Sequence, residues 1–154
     1  EHTKLQYNYL MNNSLAEIGR GQLKVLDKRV SEKRNIFIYY KDNLKIDCID
    51  WMPELRGDQS NRWLSVLTIN PNKTDITPSD LIRGLSEKNI EARHVWKPMH
   101  LQPLFSENDY FTHDDISFCD TIYNTGVCLP SASDMSIEQQ TFVIEEIVKT
   151  FKKN

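Results

Sequence analysis

Two stretches of this sequence concentrate side chains able to bind a polar ligand. Tyr7-Asn8-Tyr9-Leu10-Met11-Asn12-Asn13 sets phenols and amides side by side. Trp96-Lys97-Pro98-Met99-His100-Leu101-Gln102-Pro103 gathers an indole, a cation, an imidazole and an amide around two prolines. Proline fixes φ, so the second stretch is partly pre-organised and suits recognition by stacking and hydrogen bonding. The residues alone leave His100 open between a structural and a site role, and they favour core packing for Trp96. The histidines His2, His94, His100 and His113 show neither H-E-x-x-H nor C-x-x-C…H spacing, so no metal centre is expected. No G-x-S-x-G elbow supports a Ser-His-Asp triad, and the five glycines form no phosphate cradle.

The elements that must position these stretches can be read from periodicity and caps. Leu15, Ile18, Gln22, Val25, Arg29, Ile36 and Tyr40 recur at three- and four-residue spacing, which predicts one long helix over 13–43 capped by Ser14 or Asn13. Gly19 and Gly21 inside it each cost about 1 kcal/mol against Ala, tolerable where another backbone approaches closely. Residues 62–69 are aliphatic and β-branched and read as a buried strand. Thr77-Pro78-Ser79-Asp80 opens a helix running to about residue 88, and 89–95 reads as a second strand. Residues 97–112 read as a long irregular loop. Asp114 caps a helix through Tyr123, which Gly126 stops, and 127–129 form a short strand. Ser136-Ile137-Glu138-Gln139 is a capping box for a last amphipathic helix to about residue 151. This order describes an α+β layer with few strands, in one domain over 1–154, and not a doubly wound sheet.

The chain has 154 residues, 19 Lys+Arg against 22 Asp+Glu, and a net charge of −3. At 39% hydrophobic and 27% charged it is a globular composition, which excludes disorder and collagen. No apolar run approaches the roughly 20 residues that span a bilayer, and the stretch Glu1-His2-Thr3-Lys4 is too polar to be expected in a signal peptide. The absence of an initiator Met predicts a processed or excised piece. Residues 1–45 are net +4, leaving −7 for the rest. Arg20, Lys24 and Lys28 make a basic stripe, but the overall acidity argues for a solvated helix face and against nucleic-acid binding. Cys48, Cys119 and Cys128 are sparse and odd in number, the usage of a reducing compartment, here the cytoplasm.

Four ordered blocks resemble the DegT/DnrJ/EryC1/StrS aminotransferases, pyridoxal-phosphate enzymes that aminate nucleotide-linked keto-sugars. Residues Tyr7 to Asn13 resemble that family's YNYRMSN segment. Ala16-Glu17-Ile18-Gly19-Arg20-Gly21-Gln22-Leu23 resembles its AAIGxAQL helix start. Glu91-Ala92-Arg93-His94-Val95-Trp96-Lys97-Pro98-Met99-His100-Leu101-Gln102-Pro103 resembles ESRPLWKPMHLQP, and Gly126-Val127-Cys128-Leu129-Pro130-Ser131 resembles GLCLPSG.

The resemblance implies the small C-terminal domain of a fold type I transferase, a long N-terminal helix beside a few-stranded antiparallel sheet with flanking helices. It implies that the large domain carrying the Schiff-base lysine is absent from this chain, which is then inactive alone and contributes no catalytic residue. By the same resemblance Asn8 contacts the cofactor phosphate across a homodimer, and Trp96 and His100 face the nucleotide-sugar, with glutamate a typical amino donor. The family's arginine in the first block is Leu10 here, which cannot make a bidentate, charge-assisted phosphate contact. Two other readings follow from that departure and from the missing lysine: a standalone non-catalytic binding or assembly module, and part of a sugar dehydratase of the same superfamily.

Overall fold

The computed structural model describes residues 11–113 and 117–152. Helix α1 (Asn13–Leu23) starts where Asn12 accepts the Leu15 amide at 2.8 Å, and none of its residues is buried. Helix α2 (Leu26–Asn43) continues along the chain, so the expected 13–43 span is helical but interrupted at Lys24 and Val25. There the Val25 amide bonds the Gln22 carbonyl at 3.1 Å, a tighter turn than the α-helical one. A β-branched valine following two glycines is where a helix yields most cheaply. Gly19 and Gly21 face open space, without the close backbone neighbour their presence suggested. The basic stripe of Arg20, Lys24 and Lys28 is exposed.

The second half of α2 turns Ile36, Phe37 and Tyr40 into the core. Strand β1 (Ile49–Trp51) pairs antiparallel with β2 (Ser65–Ile69), and β2 pairs with β4 (Gly126–Leu129), which in turn pairs with β3 (Arg93–His94). The sheet order is β1-β2-β4-β3, antiparallel throughout. Along β2, Ser65, Leu67 and Ile69 are buried while Val66 and Thr68 are less so, the alternation a pleated strand imposes. Leu67, Ile69, Val127 and Leu129 meet Ile36 and Tyr40 of α2, Leu81 and Leu85 of α3 (Pro78–Ser86), and Val143, Ile144 and Ile147 of α5 (Ile137–Lys152) in one core.

Caps fix where these helices begin. Thr77 accepts the Asp80 amide at 3.2 Å while the Asp80 carboxylate accepts the Thr77 amide at 3.0 Å, with Pro78 at the first helical position. The Thr77 hydroxyl, which donates to the Asp80 carboxylate at 2.6 Å, and then the Thr77 amide hold the Asp80 carboxyl below its ordinary range. Ser136 and Gln139 make the same reciprocal pair ahead of α5. The expected strand at 89–95 shrinks to two residues, because Asn89 takes a left-handed φ of 58° to leave α3, and Ile90 still donates to Leu85. Helix α4 (Phe118–Thr125) is capped by Ser117; Asp114, the expected cap, lies outside the described residues. Gly126 ends α4 and starts β4 in a crowded place: a Cβ there would lie 2.5 Å from both the Ile122 carbonyl oxygen and Val95 Cγ2.

Candidate functional site

Residues 95–113 are more ordered than an irregular loop. Pro98 leads into a 3-10 turn at Met99–Leu101 and Pro103 into another at Pro103–Phe105. The buried Gln102 between them donates its side-chain amide to the Lys97 carbonyl at 3.3 Å, tying the loop's start to its middle. The prolines set the turns' entry dihedrals, and the buried amide locks their spacing.

Within this frame Trp96 and His100 each find an aromatic partner. Trp96 is not a core residue. It stacks on Trp63 with ring centroids 5.6 Å apart and planes 23° from parallel, and both indoles are 61% exposed. His100 is held more deeply, its side chain 15% exposed. Tyr110 stacks on its ring at 3.7 Å and 14°, and Asp120 in the first turn of α4 approaches its Nε2 at 2.7 Å. The Tyr110 hydroxyl lies 3.1 Å from Ser117 Oγ, which also accepts the Asp120 amide at 3.2 Å. Tyr110, Ser117 and Asp120 thus close a ring of contacts with the imidazole, the last link being the Asp120 backbone amide.

The stacked indoles border a cavity of about 500 Å³ at the β3–β4 side of the sheet, where Glu91, Arg93, His94 and Cys128 also line it. Arg93 is engaged in an ion pair with Glu91, and His94 Nε2 lies 3.2 Å from Ser79 Oγ. Burial pushes the Cys128 thiol up, so it is a poor nucleophile there. The cavity therefore offers flat apolar faces with a charged rim, suited to a ring bearing polar substituents. No lysine lines it, so the described residues do not fit the aldehyde end of pyridoxal phosphate, which needs a lysine amine for covalent attachment.

Trp63 hangs from an anchored neighbour. Arg62 is only 5% exposed and takes the left-handed φ of 49° that non-glycine residues rarely adopt. Its guanidinium lies 4.0 Å over the Phe37 ring, donates to the Met52 carbonyl at 2.9 Å and sits 3.5 Å from Glu54. Glu54 also takes a two-pronged contact from Arg34, at 2.7 and 3.2 Å. The Arg34 hydrogen bonds, then the Ser60 amide, lower the Glu54 carboxyl to about 2. This clamp fixes the polar stretch between β1 and β2 that delivers Trp63.

Of the residues expected at a site, Trp96 and His100 fall on one loop, each with its own partner, and Asn8 lies outside the described residues. Trp63, Tyr110 and Asp120 were not foreseen. Trp63 read as strand, and the spacing from His100 to Asp120 follows no motif. Among the described residues no helix is long and apolar enough to cross a membrane.

Comparison with known proteins places this arrangement. EpsN of Bacillus subtilis (strain 168), named as a candidate pyridoxal phosphate-dependent aminotransferase, is 42% identical over 153 residues, covering 98% of this chain and 39% of its own length. GDP-perosamine synthase of Escherichia coli O157:H7 is 33% identical over 150 residues, covering 95% of this chain and 38% of its own. The chain thus spans about two fifths of the length of the curated relatives it matches. The solved structure of PseC from Helicobacter pylori, an aminotransferase involved in pseudoaminic acid biosynthesis, superposes with a TM-score of 0.80 at 17% identity. It covers 100% of this chain and 41% of that one, and shows the shared fold. The profile of one family matches residues 1–148, and on that match the chain belongs to the DegT/DnrJ/EryC1/StrS aminotransferase family.

Proposed function

We propose that this chain is the small C-terminal domain of a pyridoxal-phosphate-dependent aminotransferase acting on nucleotide-linked keto-sugars. The observation that carries the reading is one of coverage: a 42%-identical relative accounts for 98% of this chain with only 39% of its own length. The remaining length is where the cofactor lysine and its cavity belong, which agrees with the lack of a lysine beside the indole cavity. In the full-length enzyme pyridoxal phosphate carries the amino group between a donor such as glutamate and the keto-sugar. This chain's own part is to bind and orient. Trp96 offers a flat face to the nucleotide-sugar and His100 a hydrogen-bonding nitrogen. Asn8 would be the residue to hold the cofactor phosphate across a homodimer through an amide hydrogen bond, without the help of an arginine, since position 10 is leucine. The enzyme works in the cytoplasm, in amino-sugar and polysaccharide synthesis, and this chain alone is inactive.

The test is amino transfer from glutamate to a panel of nucleotide-linked 4-keto-sugars by the full-length protein that contains this chain. Turnover of a keto-sugar by that protein, its loss in the isolated chain, and a raised KM for the sugar in W96A and H100A are the expected results. A full-length protein that forms no imine with pyridoxal phosphate overturns the reading.

A further inference from the structure

We infer that Asp120 is a positioning residue for His100, holding its ring in the Nε2–H form and leaving Nδ1 to accept a hydrogen bond from a ligand hydroxyl. The inference deepens the proposed function and rests on it for the identity of that ligand, a nucleotide-linked sugar. A carboxylate can only accept, so a 2.7 Å approach of Asp120 Oδ1 to Nε2 requires the proton on Nε2. A neutral imidazole then has its lone pair on Nδ1, and among the described residues Nδ1 makes no hydrogen bond. A carboxylate behind a histidine is the general way in which one ring nitrogen is fixed so that the other keeps one chemical character.

The surroundings restrict the ring further. Tyr110 lies flat on it at 3.7 Å, which blocks rotation out of the plane. The Tyr110 hydroxyl beside Ser117 Oγ, and the Asp120 amide on that same oxygen, make stacking and carboxylate placement interdependent. Ser117 caps α4, so the helix start is the rigid mount for both. Such a fixed acceptor selects a hydroxyl and disfavours the oxygens of a phosphate or carboxylate, which would meet a lone pair.

The test reads the tautomer itself. Histidine-selective 15N labelling of the intact protein, with long-range 1H–15N correlation well above the imidazole titration range, gives both nitrogen shifts of His100. H100Q assigns its signals. The expected wild-type pattern is a protonated Nε2 and a bare Nδ1, with the two shifts well separated. In D120N the shifts move toward each other, because an amide can pair with either tautomer, and in D120E the wild-type separation returns. With a keto-sugar that the intact protein aminates, D120N lowers kcat/KM about tenfold, the loss of one well-placed hydrogen bond, and D120E recovers most of it. A wild-type Nδ1–H tautomer, or a D120N spectrum identical to wild type, overturns the inference. A correct tautomer in a protein that aminates no keto-sugar leaves the Asp120 role standing and removes the aminotransferase reading instead.

Discussion

Trp63 and Trp96 stack with ring centroids 5.6 Å apart and planes 23° from parallel, although one precedes β2 and the other follows β3. The third tryptophan, Trp51, meets Phe37 edge-on at 5.6 Å and 87°. Only the first pair can produce strong indole–indole coupling, which falls in the far-ultraviolet where the intense indole band lies. The circular-dichroism couplet is therefore expected to vanish equally in W63A and W96A and to survive in W51F. An aromatic pair contributes about 0.5–1.5 kcal/mol beyond its buried area, and this one is largely exposed, so each truncation is expected to cost no more than about 1 kcal/mol of stability. A couplet that persists in W63A would refute the pairing.

Acid sensitivity follows from Glu54. Its carboxyl sits at about 2, lowered first by the Arg34 hydrogen bonds and then by the Ser60 amide. A carboxyl depressed in the fold stabilises it above the ordinary glutamate value and stops doing so as pH falls toward about 2. Urea midpoints of wild type and E54Q should differ near neutral pH and converge through that window. A gap that stays constant down to the acid limit would mean that the Arg34–Glu54–Arg62 clamp is not what holds the stretch between β1 and β2.

The two capping boxes were the most legible part of the sequence, whereas α1 is capped by Asn12 in place of the expected Ser14 or Asn13. Thr77-Pro78-Ser79-Asp80 and Ser136-Ile137-Glu138-Gln139 state both partners of a cap within four residues, and both boxes form. The strand at Ile49–Trp51 was not visible, because three residues with a central aspartate carry too little alternation to register. Size and apolarity argue for a buried Trp96, but it is exposed and stacks on Trp63, which arrives from another part of the chain. The Asp120–His100 contact is likewise set by how α4 docks beside the loop, and local spacing contains no record of that. Four ordered sequence blocks carry the family's signature, whereas the side-chain partners are set by tertiary packing between distant segments.

The exposed face of α1 predicts self-association. Leu15, Ile18 and Leu23 are all more than half exposed, and no residue of α1 is buried. A contiguous apolar stripe in water favours pairing with another copy. Sedimentation velocity of this chain should show an apparent mass that rises with concentration, and the double variant I18K/L23K should abolish the rise. G19A and G21A should each stabilise α1 by about 1 kcal/mol, since the added methyl meets open space. A strictly monomeric chain across the concentration range would count against the self-association.

Gly126 should tolerate nothing larger. The methyl of G126A would stand 2.5 Å from the Ile122 carbonyl oxygen, and that oxygen belongs to the last turn of α4 and accepts the Gly126 amide. Backbone there cannot yield without unwinding the helix whose start carries Asp120, while the second clash, with Val95 Cγ2, falls directly before Trp96. Overpacking of this kind costs about 1–3 kcal/mol. G126A is therefore expected to lower the urea midpoint and, because both clashes press on the mounts of the loop, to weaken the Trp63–Trp96 couplet and broaden the His100 nitrogen signals. V95A in the G126A background removes one of the two clashes and should recover the couplet more than the midpoint, since the carbonyl contact remains. Full recovery of both would place the strain on Val95 alone and leave α4 out of it.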